Sequence, residues 1–294
     1  MGKKILVTGS TGFVGRHLVP DILNGGHSVL ELTRSISKSY ELFGNKTLKI
    51  DINDSLFKEK IIEYKPEIVI HLASYLSASD EMADILKLIE ANLFFLSKLL
   101  NAVSETQLDF FINTGTFSEY KNGDEELIPA YFYAATKTAS RSIIDYYSNT
   151  YCFKQATVIP YTIYGGNDSQ KKIIDLIFDS INSEDYLDLS PGAQVLDFIH
   201  INDITDFYLF LIENFSIIDN KQVIKLGTGK GHTLREVAQL VEQITQQKTK
   251  INWGAKDYRK SDVMYAVASS DKQNNELDWY PKISLIEGIK KMTN

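Results

Sequence analysis

The stretch Thr8-Gly9-Ser10-Thr11-Gly12-Phe13-Val14-Gly15 decides the fold. It follows an apolar run at residues 4–7 and opens an amphipathic helical pattern at residues 13–23. Three glycines at this spacing let the chain turn tightly, let the backbone approach a pyrophosphate, and let the helix pack closely on a sheet. The start of that helix would present unpaired N–H groups and the positive end of its dipole to the phosphates. A glycine triplet alone is a weak signal, but its position between a strand and a helix predicts a dinucleotide site formed by Gly9, Thr11, Gly12, Phe13, Val14 and Gly15.

Short apolar strands alternate with helices over the first half of the chain. Strands are expected at 4–7, 28–32, 47–50, 68–72, 109–113 and 155–159, with helices at 13–23, 54–64, 85–105 and 134–151. This alternation indicates a parallel sheet covered by helices on both faces. The predicted fold class is therefore α/β, a doubly wound parallel sheet followed by a smaller carboxyl-terminal α/β domain.

The strand and helix rhythm loosens after about residue 161. Helices are expected at 171–182 and 233–246, and shorter strands at 195–199 and 223–226. We expect a cofactor-binding domain at 1–162 and a substrate-binding domain at 163–294, with part of 195–215 returning to the first. The second domain is expected over the carboxyl ends of the strands, where ligands bind in such folds.

Composition excludes several classes of function. The chain has 294 residues and a formal charge of -7, which argues against a nucleic-acid partner, because neutralising phosphates needs clustered Lys and Arg. Cys152 is the single cysteine, so neither a disulfide framework nor a cysteine-based metal site is expected, and no metal is predicted. The apolar run near the amino terminus is too short for a signal peptide or a membrane span, so we expect a cytosolic protein without a membrane partner.

The end of the second predicted strand bears on the choice of cofactor. An acidic residue there binds the ribose 2′-hydroxyl of NAD, whereas an arginine accommodates the 2′-phosphate of NADP. Thr33 occupies the position expected for the acid and Arg34 follows it, while Glu31 lies two residues earlier within the strand. A solvated surface role for Arg34 is the structural alternative, but the pattern favours NADP(H). Asp51 and Ile52, past the third strand, are expected over the adenine pocket, although a turn or capping role for Asp51 is an even alternative.

Three residues form a candidate catalytic group. Tyr133 and Lys137 are four apart on a predicted helix and therefore share one face, with roughly 5–6 Å between Cβ atoms. An ammonium near a phenol favours the phenolate, so we expect Lys137 to lower the pKa of Tyr133 and make it a usable proton donor and acceptor. Thr116, at the carboxyl end of the fifth strand, is expected to place its hydroxyl opposite Tyr133. A plain Thr-Gly-Thr turn is the structural alternative for Thr116.

Together these motifs resemble the extended short-chain dehydrogenases/reductases, in the epimerase/dehydratase group that acts on nucleotide sugars. The likeness covers nearly the whole chain and rests on Gly9, Gly12, Gly15, His71-Leu72-Ala73, Asn92, Thr116, Tyr133, Lys137, Asp197–Asp203, Leu226–Gly229 and Glu276–Pro281. The resemblance implies a Rossmann domain, a small nucleotide-sugar domain, and a homodimer built on two long helices. It further implies that Leu72, Ala73, Ser74, Asn92, Tyr133, Lys137 and Pro160 contact the cofactor, and that Tyr75, Thr116, Thr162 and Arg259 contact the substrate. His71 and His200 are expected to be structural.

The same resemblance leaves three reactions to compare, namely 4,6-dehydration, 4-epimerisation and reduction of a 4-keto group. Family members that dehydrate their substrate follow the catalytic Thr with Asp and Glu, but here Phe117 and Ser118 follow, and Glu119 comes one place too late. Epimerases keep NAD bound, whereas reductases release spent cofactor and draw on NADPH, so Arg34 favours reduction. We expect NADPH-dependent reduction of the C4 keto group of a nucleotide-linked 4-keto-6-deoxy or 3,6-dideoxy hexose.

Several substrate-site positions depart from the family pattern. The stretch from Arg259 to Trp279 is similar to CDP-sugar reductases that make 3,6-dideoxyhexoses, yet dTDP-linked sugars are equally compatible. Leu196, Thr162 and Lys225 replace an Arg and two Asn that are common in the family, so the substrate pocket cannot be copied from better-known members. An NAD(P)-dependent 4-epimerase and a non-catalytic NADP-binding sensor are the rival functions.

Overall fold

The computed structural model describes residues 2–123, 125–166, 171–269 and 276–293. Residues 270–275, part of the stretch similar to CDP-sugar reductases, lie outside the described residues. The strands are β1 Lys4–Thr8, β2 Ser28–Thr33, β3 Leu48–Asp51, β4 Ile68–His71, β5 Phe110–Thr114, β6 Lys154–Pro160, β7 Thr162–Tyr164, β8 Leu187–Leu189, β9 Val195–His200, β10 Gln222–Leu226, β11 Gly231–Thr233, β12 Ile251–Trp253 and β13 Tyr265–Ala266. The α-helices are α1 Phe13–Asn24, α2 Ile36–Phe43, α3 Phe57–Tyr64, α4 Met82–Ile89, α5 Phe95–Val103, α6 Phe132–Tyr151, α7 Ile173–Asn182, α8 Ile201–Asn214, α9 Leu234–Thr245 and α10 Leu285–Met292.

A seven-stranded sheet dominates the fold. Its strand order is β10-β6-β5-β4-β1-β2-β3, and the pairs from β6 through β3 are parallel. Residues 5–7, 68–70 and 110–112 of the central strands are apolar and fully buried, as expected for parallel strands covered on both faces. The order in which successive strands are added reverses at β1, with β2 and β3 on one side and β4, β5 and β6 on the other. The gap between β1 and β4 is thus the switch point where dinucleotides bind in doubly wound folds. The predicted α/β fold with a Rossmann-type sheet is therefore confirmed.

The chain divides into two compact units. The first contains residues 1–119, 131–159 and 205–224, and the second contains residues 120–130, 160–204 and 225–294. The second unit has its own small sheets, in which β9 lies between β11 and β13 and also pairs with β7, while β12 pairs with β8. Its apolar core is formed by buried side chains of α7, α9, α10, β7 and β9.

The long helix expected at 85–105 has a break in its hydrogen-bond pattern. α4 runs into a π-helical segment, Glu90–Phe94, and continues as α5. Such segments insert an extra residue into a helix and are frequent at functional sites. Asn92 lies inside this segment and is buried. Within the described parts of the chain, no helix is both long and apolar enough to cross a membrane.

Candidate active site

At Gly9 and Gly15, the turn between β1 and α1 has room for backbone but not for a side chain. Gly9 has a φ of +71°, and a Cβ on it would lie 2.7 Å from the backbone nitrogen of Ala73. A Cβ on Gly15 would overlap the carbonyl oxygen of Gly9. The N–H of Gly12 donates to that carbonyl oxygen at 3.0 Å and closes the turn. Glycine is therefore required where the backbones of β1, α1 and the segment after β4 meet.

This turn fits a pyrophosphate group. α1 begins after Gly12, whose lack of a side chain leaves the first N–H groups of the helix without a side-chain cap. The Ser10 hydroxyl is buried and has no hydrogen-bond partner among the described residues. Helix N–H groups and a hydroxyl donor suit a phosphate. The structure thus brings Thr11, Phe13 and Val14 together with the three glycines as the predicted cradle.

The carboxyl ends of β2 and β3 lie side by side. Thr33 is in register with Asp51, and the N–H of Ile52 donates to the carbonyl oxygen of Thr33 at 3.1 Å. Arg34 follows with an exposed side chain. An Asp51 side-chain oxygen accepts the N–H of Asn53 at 2.8 Å, so this carboxylate serves the turn. The structure groups Thr33, Arg34, Asp51 and Ile52 at the edge where the adenosine half of a dinucleotide binds in this fold.

Glu31, the alternative acidic residue, is held within β2. Its side chain is fully buried and accepts hydrogen bonds from the hydroxyls of Ser39, at 2.8 Å, and Thr47. The ammonium of Lys49 lies 3.7 Å away. All three partners contact Oε1, and Oε2 is buried without a hydrogen-bond partner among the described residues. Because Glu31 is buried within β2, Thr33 and Arg34 are the residues that the end of the strand presents.

The segment after β4 is fastened to β1. The N–H of Leu72 donates to the carbonyl oxygen of Thr8 at 3.2 Å, and the N–H of Ala73 donates to the Thr8 hydroxyl at 3.1 Å. The same hydroxyl lies 2.9 Å from Nδ1 of His71, which is buried. His71 therefore has the structural role expected from the sequence, and it places Leu72 and Ala73 beside the glycine turn.

Asn92 connects this segment to α6. Its side-chain oxygen accepts the N–H of Tyr75 at 2.8 Å and the hydroxyl of Ser74 at 3.1 Å. Its amide nitrogen donates to the carbonyl oxygen of Tyr75 at 3.1 Å and to the hydroxyl of Thr136 at 2.9 Å. The phenol of Tyr75 donates to Asp84 at 2.7 Å. Asn92 thus orders the surrounding backbone, and Tyr75 is turned toward α4.

Tyr133 and Lys137 lie one turn apart in the amino-terminal part of α6, and both are buried. Tyr133 has a side-chain hydrogen bond with Ser74, on the segment that follows β4. Thr116 follows β5 and precedes the 3₁₀ turn Phe117–Glu119, and its hydroxyl accepts the N–H of Ser118 at 3.3 Å. An acceptor contact of this kind leaves the proton of the Thr116 hydroxyl for donation.

Burial controls the electrostatics of the pair on α6. It raises the pKa of Tyr133 well above its ordinary value; the Ser74 hydrogen bond opposes this, while Tyr131 and Glu119 add to it. The expected lowering of the Tyr133 pKa by Lys137 is therefore wrong in this structure, because burial is the largest influence on this pKa. Burial also lowers the pKa of Lys137 to about 8, with Glu119 raising it and Arg141 lowering it. Tyr133 is a protonated donor at neutral pH.

Glu119 is a site residue that the sequence interpretation missed. It is fully buried, and its carboxylate accepts the N–H of Thr116 at 2.9 Å and the hydroxyl of Thr138 at 3.2 Å. It also pairs with the guanidinium of Arg141 at 2.8 Å. The signal was present as Thr116-x-x-Glu119, a pattern in which a Glu side chain returns to the backbone N–H three residues earlier. These contacts commit Glu119 to the turn and to α6, which does not suit an acid or base for eliminating water.

Three predicted ligand contacts lie in the second unit. Pro160 ends β6, Thr162 begins β7, and Arg259 is exposed in a turn closed by its N–H donating to Asp262 at 2.9 Å. Their roles toward cofactor and substrate stay predictions.

The motif beginning at Asp197 has a structural role in the same unit. Its buried carboxylate accepts the N–H groups of Thr228 and Gly229, each at 2.9 Å, and that of Ala268 at 3.3 Å. His200 accepts the N–H of Asn202 at 3.2 Å, which agrees with the structural role expected for it.

Comparison with known proteins decides the family. The model of the NAD dependent epimerase/dehydratase family matches residues 5–227. The chain belongs to this family. The chain is 28% identical to CDP-abequose synthase of Yersinia pseudotuberculosis, covering 89% of this chain and 90% of that protein. It is 26% identical to CDP-abequose synthase of Salmonella typhimurium, covering 98% and 96%.

Solved structures agree on the fold of this family member. UDP-glucose 4-epimerase of Thermotoga maritima matches with a TM-score of 0.84 at 23% identity, over 98% of this chain and 96% of that one. UDP-glucuronic acid 4-epimerase of Bacillus cereus, solved with UDP-glucuronic acid and NAD, matches with a TM-score of 0.85 at 23% identity and the same coverage. The protein is therefore an enzyme of the epimerase/dehydratase family, whose description names a nicotinamide dinucleotide as cofactor.

Proposed function

We propose that this enzyme uses NADPH to reduce the C4 keto group of a nucleotide-linked 4-keto-6-deoxy or 3,6-dideoxy hexose, with a CDP- or dTDP-linked sugar as substrate. The observation that carries the proposal is the composition of the site after β5 and along α6. It contains two hydroxyl groups and a lysine, whereas the carboxylate of Glu119 is occupied by Thr116, Thr138 and Arg141. Proton donation without elimination is the chemistry that such a set supports.

The adenosine end of the site supports NADPH. Arg34 is exposed beside Thr33, and Glu31 is buried with partners of its own. Ser35 caps α2 by accepting the N–H of Lys38 at 3.3 Å. An arginine beside a helix amino terminus suits a phosphate dianion. Similarity to two CDP-abequose synthases supports the nucleotide-sugar substrate.

In the proposed reduction, each residue of the site would have a distinct role. Bound NADPH would supply a hydride to the carbonyl carbon. Tyr133, protonated at neutral pH, donates its proton to the carbonyl oxygen, and Thr116 donates a hydrogen bond to the same oxygen. The ammonium of Lys137 supplies positive charge beside Tyr133 and a donor for the cofactor ribose. The glycine turn holds the pyrophosphate.

The test is NADPH oxidation against a panel of CDP-, dTDP-, UDP- and GDP-linked 4-keto sugars that includes both 6-deoxy and 3,6-dideoxy hexoses. We expect turnover with a CDP or dTDP sugar, NADPH preferred over NADH, and a product reduced at C4. Absence of oxidation with every sugar would overturn the proposal.

A 4-epimerase is the second candidate, because the chain is also 23% identical to UDP-glucose 4-epimerase of Rhizobium leguminosarum bv. trifolii over 98% of its length. Cofactor retention separates the two functions. An epimerase returns its own hydride and would purify with bound NAD, whereas a reductase would purify largely without cofactor. Interconversion of UDP-glucose and UDP-galactose without added cofactor would favour the epimerase.

Arg259 is expected to bind the substrate diphosphate. Arg259→Ala should raise the KM for the nucleotide sugar by about 5-fold, the effect of losing about 1 kcal/mol from an exposed charge pair. NADPH binding should be unchanged, because the partner is the substrate. Steady-state kinetics with Lys260→Ala as control checks this. An unchanged KM in Arg259→Ala together with a raised KM in the control would place the phosphate contact on Lys260.

We also propose a homodimer. Large apolar side chains of α4 and the π-helical segment are exposed at Met82, Leu86, Ile89 and Phe94, and α6 exposes Tyr146 and Tyr151. Met82, Leu86 and Ile89 recur at helical spacing and form one apolar stripe, which needs a partner surface. Sedimentation equilibrium should give twice the chain mass, and Leu86→Lys should shift it toward the monomer. A monomeric parent protein would contradict the proposal.

A further inference from the structure

We infer that Glu119 is a positioning residue of this active site: its buried carboxylate fixes Thr116 against α6 and places a negative charge on the part of α6 that carries Lys137. The inference rests on the proposed reaction for its effect on turnover. The contacts of Glu119 and its charge can nevertheless be tested without any substrate.

The positional part follows from hydrogen bonds in two directions. One carboxylate oxygen accepts the N–H of Thr116 at 2.9 Å, and the N–H of Glu119 donates back to the carbonyl oxygen of Thr116 at 3.1 Å. The other oxygen accepts from Thr138 and pairs with Arg141, both on α6. α6 also carries Tyr133 and Lys137. A single side chain therefore links the turn that holds one hydroxyl to the helix that holds the other.

The residues packed around Glu119 leave little room for its carboxylate to take another position. Gly115 has no side chain, and a Cβ there would lie 2.6 Å from a carboxylate oxygen of Glu119 and would overlap Ile159. The carboxylate thus fills the space that a side chain at residue 115 would need. The Thr-Gly-Thr sequence at residues 114–116 permits this close approach.

The charge part follows from the groups that face Lys137. Lys137 is buried, and an ammonium in such a place needs a compensating negative charge. The carboxylate of Glu119, from the 3₁₀ turn, accepts from Thr138, the residue after Lys137, and is the anion that acts on Lys137, while Arg141, from α6, is a cation that opposes it. Burial raises the pKa of Glu119, whereas Arg141 and the N–H of Thr116 lower it. From β4, His71 faces Lys137 and is neutral, because burial and the charge of Lys137 lower its pKa to about 3. From α6 itself, Tyr133 is protonated at neutral pH. Glu119 is thus the negative group of this set.

The experiment titrates Lys137 directly in the whole protein. Carbon-13 labelled lysine is incorporated, and the Lys137 signal is assigned by its loss in Lys137→Met. In Glu119→Gln, which keeps a side-chain oxygen for the Thr116 N–H but loses the charge, the titration midpoint should fall by about 1 pH unit. In Glu119→Gln with Arg141→Met it should lie between those of the parent and the single variant, since the opposing cation is also removed. An unchanged midpoint in Glu119→Gln would overturn the charge part.

Turnover tests the positional part separately. At pH 6, where Lys137 is largely charged, Glu119→Ala should lower kcat by a further factor of roughly 2 to 12 relative to Glu119→Gln, the effect of losing one hydrogen bond that orients Thr116. Equal kcat values for the two variants would overturn this part. Glu105 forms a surface ion pair with Lys58 at 2.5 Å. The control Glu105→Gln makes the same chemical change there and should alter neither the Lys137 titration midpoint nor kcat. If the parent protein reduces no keto sugar, the proposed function fails, while the Lys137 titration still decides the inference about charge.

Discussion

Replacing Tyr133 with Phe is expected to lower kcat for NADPH-dependent reduction by about 10²- to 10⁴-fold, the usual contribution of general acid catalysis. In the proposed reaction the phenol gives its proton to the developing alkoxide, and burial keeps it protonated through neutral pH. The ring remains in Tyr133→Phe, so the fold and the Kd for NADPH should be preserved. Single-turnover NADPH oxidation with a competent keto sugar measures the chemical step.

Tyr131 provides the matched control for this substitution. Its ring stacks on that of Tyr133 with centroids 5.8 Å apart, and its hydroxyl lies 3.4 Å from that of Ser118. Tyr131→Phe should retain most of the activity. Thr116→Val should show an intermediate loss, because a neutral hydrogen bond contributes about 0.5–1.5 kcal/mol. A parent-like rate in Tyr133→Phe with an inactive Tyr131→Phe would show that the wrong tyrosine has been assigned.

Replacing Arg34 with Ala is expected to weaken NADPH binding by roughly 10- to 150-fold. This corresponds to about 1.5–3 kcal/mol for a hydrogen bond to a charged group. NADH lacks the 2′-phosphate, so its Kd should change little. Isothermal titration calorimetry at one fixed salt concentration gives the ratio of variant Kd to parent Kd for each cofactor. When the NADPH titration is repeated at higher salt, binding should weaken less in the variant than in the parent, because one charge contact is absent.

Two further variants make the Arg34 result specific. Arg34→Lys keeps the charge but loses the planar fork, so its affinity for NADPH should lie between those of the parent and Arg34→Ala. Lys46→Ala removes an exposed charge from the loop between α2 and β3 and should leave both affinities unchanged. An equal loss for NADPH and NADH in Arg34→Ala would defeat the assignment of the 2′-phosphate to Arg34.

Local patterns in the sequence predicted most of the first unit. The glycine turn, the central strands and α6 follow from residues within a few positions of each other, and the structure places them within one to three residues of the expected bounds. α2 was not predicted, because its eight residues offer little periodicity and its start depends on a cap at Ser35. The π-helical segment was also missed, since an extra residue in a helix leaves no clear mark on an apolar stripe.

Site residues could be predicted where their role depends on spacing along the chain. Properties that depend on contacts with residues distant in sequence could not be predicted. Tyr133 and Lys137 were found from their four-residue separation, but the direction of the Tyr133 pKa shift depends on burial by distant segments. The buried state of Glu31 likewise depends on Ser39 and Thr47, eight and sixteen residues away. The spacing of Glu119 from Thr116 shows only that it does not fit the acid or base position of a dehydratase. Its actual role depends on Thr138 and Arg141, which lie on another element, α6.

The bonds made by Asn92 bear on how the substrate range of this enzyme can change. Asn92 holds residue 75 by its backbone N–H and carbonyl oxygen, at 2.8 and 3.1 Å, and makes no demand on the side chain at that position. Every residue except proline, which lacks the N–H, can keep both bonds. The main chain at residue 75 is therefore held independently of its side chain, whose own contact is the phenol's bond to Asp84. Because residue 75 is a predicted substrate contact, it is a suitable first position for laboratory evolution toward other sugars.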